Sequence, residues 1–332
     1  MKASLIIANY NKASILPILF ETILKQDLSK LEIVFVDDAS TDQSVDIVKD
    51  YPINLIQVKT NQGPAYCRNL GVHNSQGEIL IFCDSDIKLK ENSLKELLRP
   101  FKDVEVATVT AKNIYPPLSK HLAGIYRFWE DFEVRHHGKV TTGESRWWST
   151  TLGAIRKDIF LSIGGFDEKF KGADIEDFEL GQRIPPNRKM YHQESSQFQQ
   201  EYASLGIILT KAFRRAFQIS YYQVNLTGNP YFHYHRKIGY IISLIWILTL
   251  TLVLISPIKC SIPFLLVTLV NLGVHHQFYK NVLKWRMKRF IPVFFIYNIF
   301  MGLSTSIGFG IGLCLTSINK VKRFFLKTHK II

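Results

Sequence analysis

The sequence predicts a doubly wound, mostly parallel α/β domain followed by an α-helical membrane region. Three observations predict it. Short apolar runs alternate with amphipathic stretches over roughly the first 110 residues, and three long uncharged stretches fill the last hundred or so. Charge divides the same way: residues 202–332 hold 16 of the 41 Lys and Arg and none of the 28 Asp and Glu, which leaves residues 1–201 at a net −3. A near-neutral globular part is thus joined to a basic, apolar part.

Residues 4–8 (SLIIA) form a short apolar run of the kind buried in parallel sheets. Over 11–26, Ile15, Leu16, Leu19, Phe20, Ile23 and Leu24 recur at helical spacing. A second buried strand at 32–36 (EIVFV) ends at Asp37-Asp38, and Ser40, Thr41 or Asp42 can cap a helix over 43–50. Strands at 53–58, 78–83 (EILIFC) and 104–111 alternate with helices at 63–74 and 90–101. In such sheets ligands bind beyond the carboxyl ends of the strands, so polar residues there are the first candidates for chemistry. Residues 112–200 are less regular. They contain Trp147-Trp148 before LGAI, a Gly164-Gly165-Phe166-Asp167 turn signal, the acidic cluster Asp174, Glu176, Asp177 and Glu179, and a stop at Pro185-Pro186.

Residues 238–258 and 261–279 carry no Asp, Glu, Lys or Arg. Each is long enough to cross about 30 Å of hydrocarbon at 1.5 Å per residue. A third uncharged stretch, 290–319, is flanked on both sides by Lys and Arg, and both flanks favour the cytoplasmic side by the positive-inside rule. Two full spans followed by a segment that enters and returns on one side satisfy this, with Gly302, Gly308, Gly310 and Gly312 easing a break; a single tilted span is the other arrangement its length allows. Between the parts, 201–236 reads as an interfacial connection, with Lys211, Arg214 and Arg215 among apolar residues. Basic residues interleaved with lipid-length apolar runs point to a membrane and away from nucleic acid. The opening residues read as a strand and not as a secretory leader, which puts the globular part in the cytoplasm. Cys67, Cys83, Cys260 and Cys314 lack zinc-type or CxxC spacing and read as reduced thiols.

The candidate chemistry sits at the strand ends. Asp84-Ser85-Asp86 places two carboxylates one residue apart, a pattern that suits a hard divalent cation bridging phosphates, and equally a solvated turn. Asp37-Asp38 can accept hydrogen bonds from a ribose or base, or can cap a helix with Ser40 and Asp42. Tyr10 can stack on a base, or equally stand as a rim aromatic. Arg68 suits a phosphate, or a surface ion pair. Asp177, beside Glu176, suits a general base, or a helix start favoured by the dipole.

Taken in order, IIANYN, VDDAS, NQGPAYCRNLG, ILIFCDSD, GAIRKDIF with GGFDEKF, and IEDFEL resemble the family 2 glycosyltransferases of the GT-A fold, over about residues 3–200. The resemblance implies a Rossmann-like GT-A catalytic domain (1–200), and the uncharged stretches after it read as the membrane region (237–332) of a multi-pass protein of a bacterial inner membrane. It implies that Ala8 and Tyr10 line the base pocket, that Asp38 with Asp37 binds base or ribose, and that Arg68 lies near the nucleotide. Asp84, Ser85 and Asp86 would meet the diphosphate and a Mn2+ or Mg2+ ion, Asp86 being the more direct ligand. Asp177, with Glu176 beside it, matches the base of inverting members, and residues 164–167 a turn on the acceptor side. The donor would be a nucleotide sugar, UDP favoured; the membrane spans suggest a lipid or lipid-linked saccharide as acceptor, or a lipid phosphate as in polyprenyl-phosphate sugar synthases. Gln182-Arg183-Ile184-Pro185-Pro186 lacks the Trp of the processive Q-x-x-R-W pattern, which implies transfer of one sugar. A histidine often found later in the family has no clear counterpart: His192 is near, Gln200 aligns better, and His233 and His235 read as interfacial. A nucleotidyltransferase would show a Gly-rich basic loop after the first strand, and a scaffold would have no need to keep Asp38, Asp84, Asp86 and Asp177.

Overall fold

The computed structural model describes residues 2–27, 29, 31–114, 116–136, 142–145, 147–172, 175–222, 234–284 and 287–328. Asp174 and His233 lie outside them. The chain forms two compact units, residues 1–120 with 139–202, and residues 121–138 with 203–332. A sequence boundary near 200 therefore misses one point: the helix over 122–136 belongs with the C-terminal helices.

In the first unit the elements are β1 (Ala3–Asn9), α1 (Leu16–Ile23), β2 (Leu31–Asp37), α2 (Ser44–Val48), β3 (Asn54–Gln57), α3 (Pro64–His73), β4 (Ile79–Asp84), β5 (Ile87–Leu89), α4 (Ser93–Leu98) and β6 (Val106–Asn113). After the excursion of α5 (Leu122–His136) come β7 (Gly143–Ser145), β8 (Leu152–Arg156), α6 (Lys157–Ser162), α7 (Glu176–Gln182) and β9 (Lys189–Gln200). The strands form one sheet in the order β3-β2-β1-β4-β8-β6-β9-β5, with β7 on β9. The half β3-β2-β1-β4 is parallel, as the alternation predicts. The other half is mixed, because β8 runs antiparallel between β4 and β6.

Both faces of the sheet are covered. Leu5, Ile7, Phe35, Ile81 and Val109 pack with Leu16, Phe20 and Ile23 of α1 on one side. Ile6, Val34, Val36, Phe82 and Trp148 pack with Val72, Phe160 and Phe166 on the other. This two-sided burial explains why the parallel strands read as continuous apolar runs. Register aligns the carboxyl ends: Ala8 pairs with Asp84 on one flank and Val36 on the other, and Asn9 pairs with Asp37. Three strand ends therefore deliver their polar residues to one edge.

The second unit comprises α5, α8 (Leu205–Tyr221), α9 (Tyr234–Ile255), α10 (Pro257–Val274), α11 (His276–Lys284) and α12 (Ile291–Thr328). The first two apolar stretches shift slightly from their sequence limits. The turn between them is at Ser256, with Pro257 opening α10. The glycines of the third stretch do not break it: α12 runs 38 residues without interruption. Instead, Ser304, Gly308, Gly312 and Thr316 form a stripe of small residues against α8. Ser304 Oγ donates to the Leu209 carbonyl at 2.7 Å and Thr316 Oγ1 to that of Tyr221 at 3.0 Å. Between them a Cβ at Gly308 would collide with the Phe213 carbonyl, and one at Gly312 with that of Phe217. Such close backbone approach is what small-xxx-small spacing allows in apolar surroundings. At the other end of α12, Asn298 Oδ1 accepts from Tyr126 Oη at 2.9 Å and its amide donates to Tyr279 Oη at 3.0 Å, tying α5, α11 and α12 together.

Gly308→Ala and Gly312→Ala should each overpack this seam at about 1–3 kcal/mol. Thermal unfolding of the detergent-solubilised chain should fall by several degrees for each, and an unchanged midpoint in both would refute the close approach.

Candidate active site

The site is assembled around Arg68. Its helix, α3, begins at Pro64, whose fixed φ suits the first helical position. From the second turn Arg68 projects beneath the sheet edge, 5% exposed. Its Nη1 donates to Glu176 Oε1 at 2.7 Å and its Nη2 to Asp84 Oδ1 at 3.0 Å. The Phe166 ring lies 5.7 Å from the guanidinium carbon. Burial would lower the Arg68 pKa, but Glu176 and Asp84 outweigh it and hold the guanidinium charged. Arg68 is thus not a surface ion pair. Its two terminal nitrogens hold the DSD segment and the ED pair on a common cation, although 92 residues of chain separate Asp84 from Glu176.

A second link reinforces the first. The Asp84 N–H donates to the Thr151 carbonyl at 3.0 Å, and the neighbouring Thr150 N–H donates to Asp177 Oδ2 at 3.3 Å. Asp177 Oδ1 accepts from Phe178 N–H at 2.9 Å. The 150–151 turn entering β8 therefore touches both acidic segments. Glu176 is buried, whereas Asp177 keeps partial exposure. Burial raises the Asp84 carboxyl, with the Asp86 charge adding to it and Arg68 pulling the other way.

Asp86 sits one residue past the turn, with Ser85 buried between. One of its oxygens, Oδ2, accepts from Lys12 Nζ at 2.8 Å. The other, Oδ1, is buried with no hydrogen-bond partner among the described residues. Burial alone would lower the Lys12 pKa, but Asp86, with Glu201 and Asp84 beyond, raises it. Lys12 joins the candidate site although motif reading passed it over, and it follows IIANYN directly. The end of β9 closes this side: Gln200 pairs with Ile87, and the Glu201 N–H donates to the Asp86 carbonyl at 2.9 Å. His192 lies further up β9, opposite Thr110, with its ring beside Trp147.

The two aspartates after β2 shape loops. Asp37 accepts from Asn9 Nδ2 at 3.0 Å, Ser40 Oγ at 2.6 Å and Ser40 N–H at 2.9 Å. Asp38 accepts from the Gln62 and Gly63 N–H groups at 2.7 and 2.9 Å, fastening the entry to α3. A carboxylate has about four acceptor positions, so these two bonds leave Asp38 capacity for a ligand. Burial, with the Asp38 charge adding to it, pushes the adjacent Cys67 thiol well up, which keeps it protonated. Tyr10, 47% exposed just past Ala8 and Asn9, stands on the rim with its ring accessible. The 164–167 turn forms as expected: Gly164 and Gly165 take φ of 84° and 68°, which glycine adopts without strain. Arg183, in place of the processive motif, clamps that turn through the Gly165 carbonyl at 2.7 Å and pairs with Glu179.

Removing Arg68 would strand Glu176 as an uncompensated buried charge, a loss of about 3–5 kcal/mol. Arg68→Met should lower the denaturant midpoint of the purified chain accordingly, and the added change Glu176→Gln should restore part of it. A midpoint unmoved by Arg68→Met would show that the bridge contributes nothing.

Residues 4–160 match the sequence profile of Glycosyl transferase family 2, and residues 148–239 that of Glycosyltransferase like family 2. An uncharacterized glycosyltransferase of Haemophilus influenzae is 29% identical over 190 residues, covering 53% of this chain and 60% of the relative. The poly(ribitol-phosphate) β-N-acetylglucosaminyltransferase TarS of Staphylococcus aureus is 37% identical over 103 residues, covering 29% of this chain and 18% of its own. The chain thus spans less than two thirds of the length of these relatives. The mannosyltransferase PcManGT of Pyrobaculum calidifontis superposes with a TM-score of 0.58 at 14% identity, over 93% of this chain and 86% of its own, which establishes the fold. The first unit has the GT-A fold, and the chain belongs to the family 2 glycosyltransferases.

Proposed function

We propose that the protein is an inverting glycosyltransferase that moves one sugar from a nucleotide-sugar donor, UDP favoured, to a lipid or lipid-linked saccharide acceptor during cell-envelope glycan assembly. The observation that carries this reading is the convergence of Asp84 and Glu176 on Arg68, which joins a phosphate-and-metal motif to the candidate base beside it.

The residues fit a divalent cation. Asp86 Oδ1 is a buried carboxylate oxygen with no protein partner among the described residues. No group of three or more His, Cys, Asp or Glu among those residues could hold a metal unaided. That suits an ion held by one or two carboxylates, Asp86 and Asp84, which completes its shell with water and phosphate. Mn2+ or Mg2+ there would neutralise charge on the departing diphosphate. The chain's own part is positional. Tyr10 and Ala8 border the space for the base, Asp38 offers its remaining acceptor capacity, and Ser85 spaces the two acids. Asp177, the more accessible of the ED pair, takes the proton of the acceptor hydroxyl as that oxygen attacks the anomeric carbon from the face opposite the nucleotide. PcManGT was solved with GDP-Man and Mn2+, ligands of the same two classes, and the name of TarS describes action on a wall polymer.

The acceptor class rests on the second unit. Among the described residues, 257–274 and 288–318 are helices long and apolar enough to cross a membrane, and 241–255 is a shorter apolar helix. Leu248, Leu254, Ile258, Ile262, Leu265 and Leu269 expose their side chains. An apolar surface of that extent favours lipid. With the positive-inside rule it supports a multi-pass protein with its catalytic unit on the cytoplasmic side.

In detergent with Mn2+ or Mg2+, Asp86→Asn should abolish donor-dependent nucleotide release. With a hydroxyl acceptor, Asp177→Asn should lower transfer by about 10²–10⁴-fold. A lipid-phosphate acceptor needs no strong base, so a mild loss with Asp177→Asn would redirect the assignment to a polyprenyl-phosphate sugar synthase. Nucleotide release by the wild type no greater than by Asp86→Asn would overturn the enzyme reading.

A further inference from the structure

Lys12 occupies an unusual place. Its main chain is pinned: its N–H donates to Ser44 Oγ at 3.1 Å, and its carbonyl accepts from the Ile15 and Leu16 N–H groups at 3.0 and 3.1 Å. The preceding Asn11 adopts φ of 51° and accepts the Thr41 N–H on its side chain at 2.8 Å. The β1–α1 loop is therefore fastened to the loop after β2, and what retains freedom is the four-carbon stem of the lysine. That stem places Nζ on Asp86 Oδ2, while Oδ1 of the same carboxylate is bare. The acidic surroundings extend to Glu201 and to Asp84, which Arg68 also holds, so the ammonium sits where three carboxylates add their fields.

We propose that Lys12 is a resident counter-cation of the metal-binding carboxylate, which a divalent ion must displace from Asp86 to bind. This rests on reading Asp86 as a metal ligand. An ammonium 2.8 Å from one oxygen and a dication on the same carboxylate repel each other strongly at such separations. A point charge on a flexible stem is well suited to yield, whereas a planar guanidinium held by two partners, as at Arg68, is not. Two consequences follow from linkage. Lys12 lowers the metal affinity of the nucleotide-free protein. It also makes metal and nucleotide bind cooperatively, because the displaced ammonium is better accommodated when anionic phosphates are present.

Mn2+ binding to the full chain in detergent, followed by electron paramagnetic resonance with and without UDP, tests this without turnover. Lys12→Met should bind Mn2+ about tenfold more tightly than wild type in the absence of UDP, by analogy with coupling factors of this size. The tightening that UDP produces should shrink in the same variant. Lys12→Arg, which keeps the charge, should stay near wild type, and Lys12→Gln guards against an effect peculiar to methionine. Equal Mn2+ affinity in wild type, Lys12→Met and Lys12→Gln, with weaker binding in Asp86→Asn, would overturn the counter-cation and leave the metal reading intact. Undiminished Mn2+ binding by Asp86→Asn would overturn both.

Discussion

A buried guanidinium needs carboxylates, and buried carboxylates need a cation; the Arg68 bridge answers both demands at once. Glu176 is 3% exposed and Arg68 5%, so neither charge is tolerable without the other. Asp84 joins them from the end of β4. This constraint fixes more than local geometry. It holds the segment after β4 and the first turn of α7 at one edge of the sheet, and it sets where the neighbouring acids Asp86 and Asp177 present themselves. The aromatic bed of Phe82, Trp148 and Phe166 lies under the same point, with Phe82 and Phe166 rings 5.1 Å apart, so the bridge rests on core and not on loop.

Around that fixed centre the remaining polar groups divide their duties. Asp37 and Asp38 take backbone donors and give the two loops their shape. Thr150 and Thr151 tie strand β8 to both acidic segments through main-chain groups alone. Lys12 and Asp86, by contrast, keep a long flexible stem and a buried, unsatisfied oxygen. Rigidity beneath and adaptability above is the arrangement expected where a charged ligand must enter a site that the apo protein already holds together.

Much of this was legible in the sequence. The parallel strands announced themselves because two-sided burial makes them continuously apolar, and their ends then pointed to Asp38, Asp84 and Asp86. Strands β8 and β9 were not legible. β9 reads KMYHQESSQFQQ, polar nearly throughout, because its pairing comes from backbone register with bulges and not from an apolar pattern. Arg68 was legible as a candidate site residue but not as a bridge, since its partners lie 16 and 108 residues away and no spacing rule links them. Lys12 was missed for a similar reason: a lysine after a strand looks like any solvated loop cation until Asp86 is placed beside it. In the second unit the glycines suggested a break, yet neighbouring α8 uses them as a groove, a tertiary demand that composition does not reveal.

The helix α5 interrupts the first unit in sequence but finds its packing partners in the second. During synthesis it leaves the ribosome with Tyr126, Phe128 and Trp129 committed to an interior that begins only at Ala203. The chain must therefore shelter the apolar face of an amphipathic helix while its β7–β9 region is still being made, and no contiguous fragment contains the sheet without this orphaned helix. Attempts to obtain the first unit as a separate piece by cutting near residue 202 carry that burden with them.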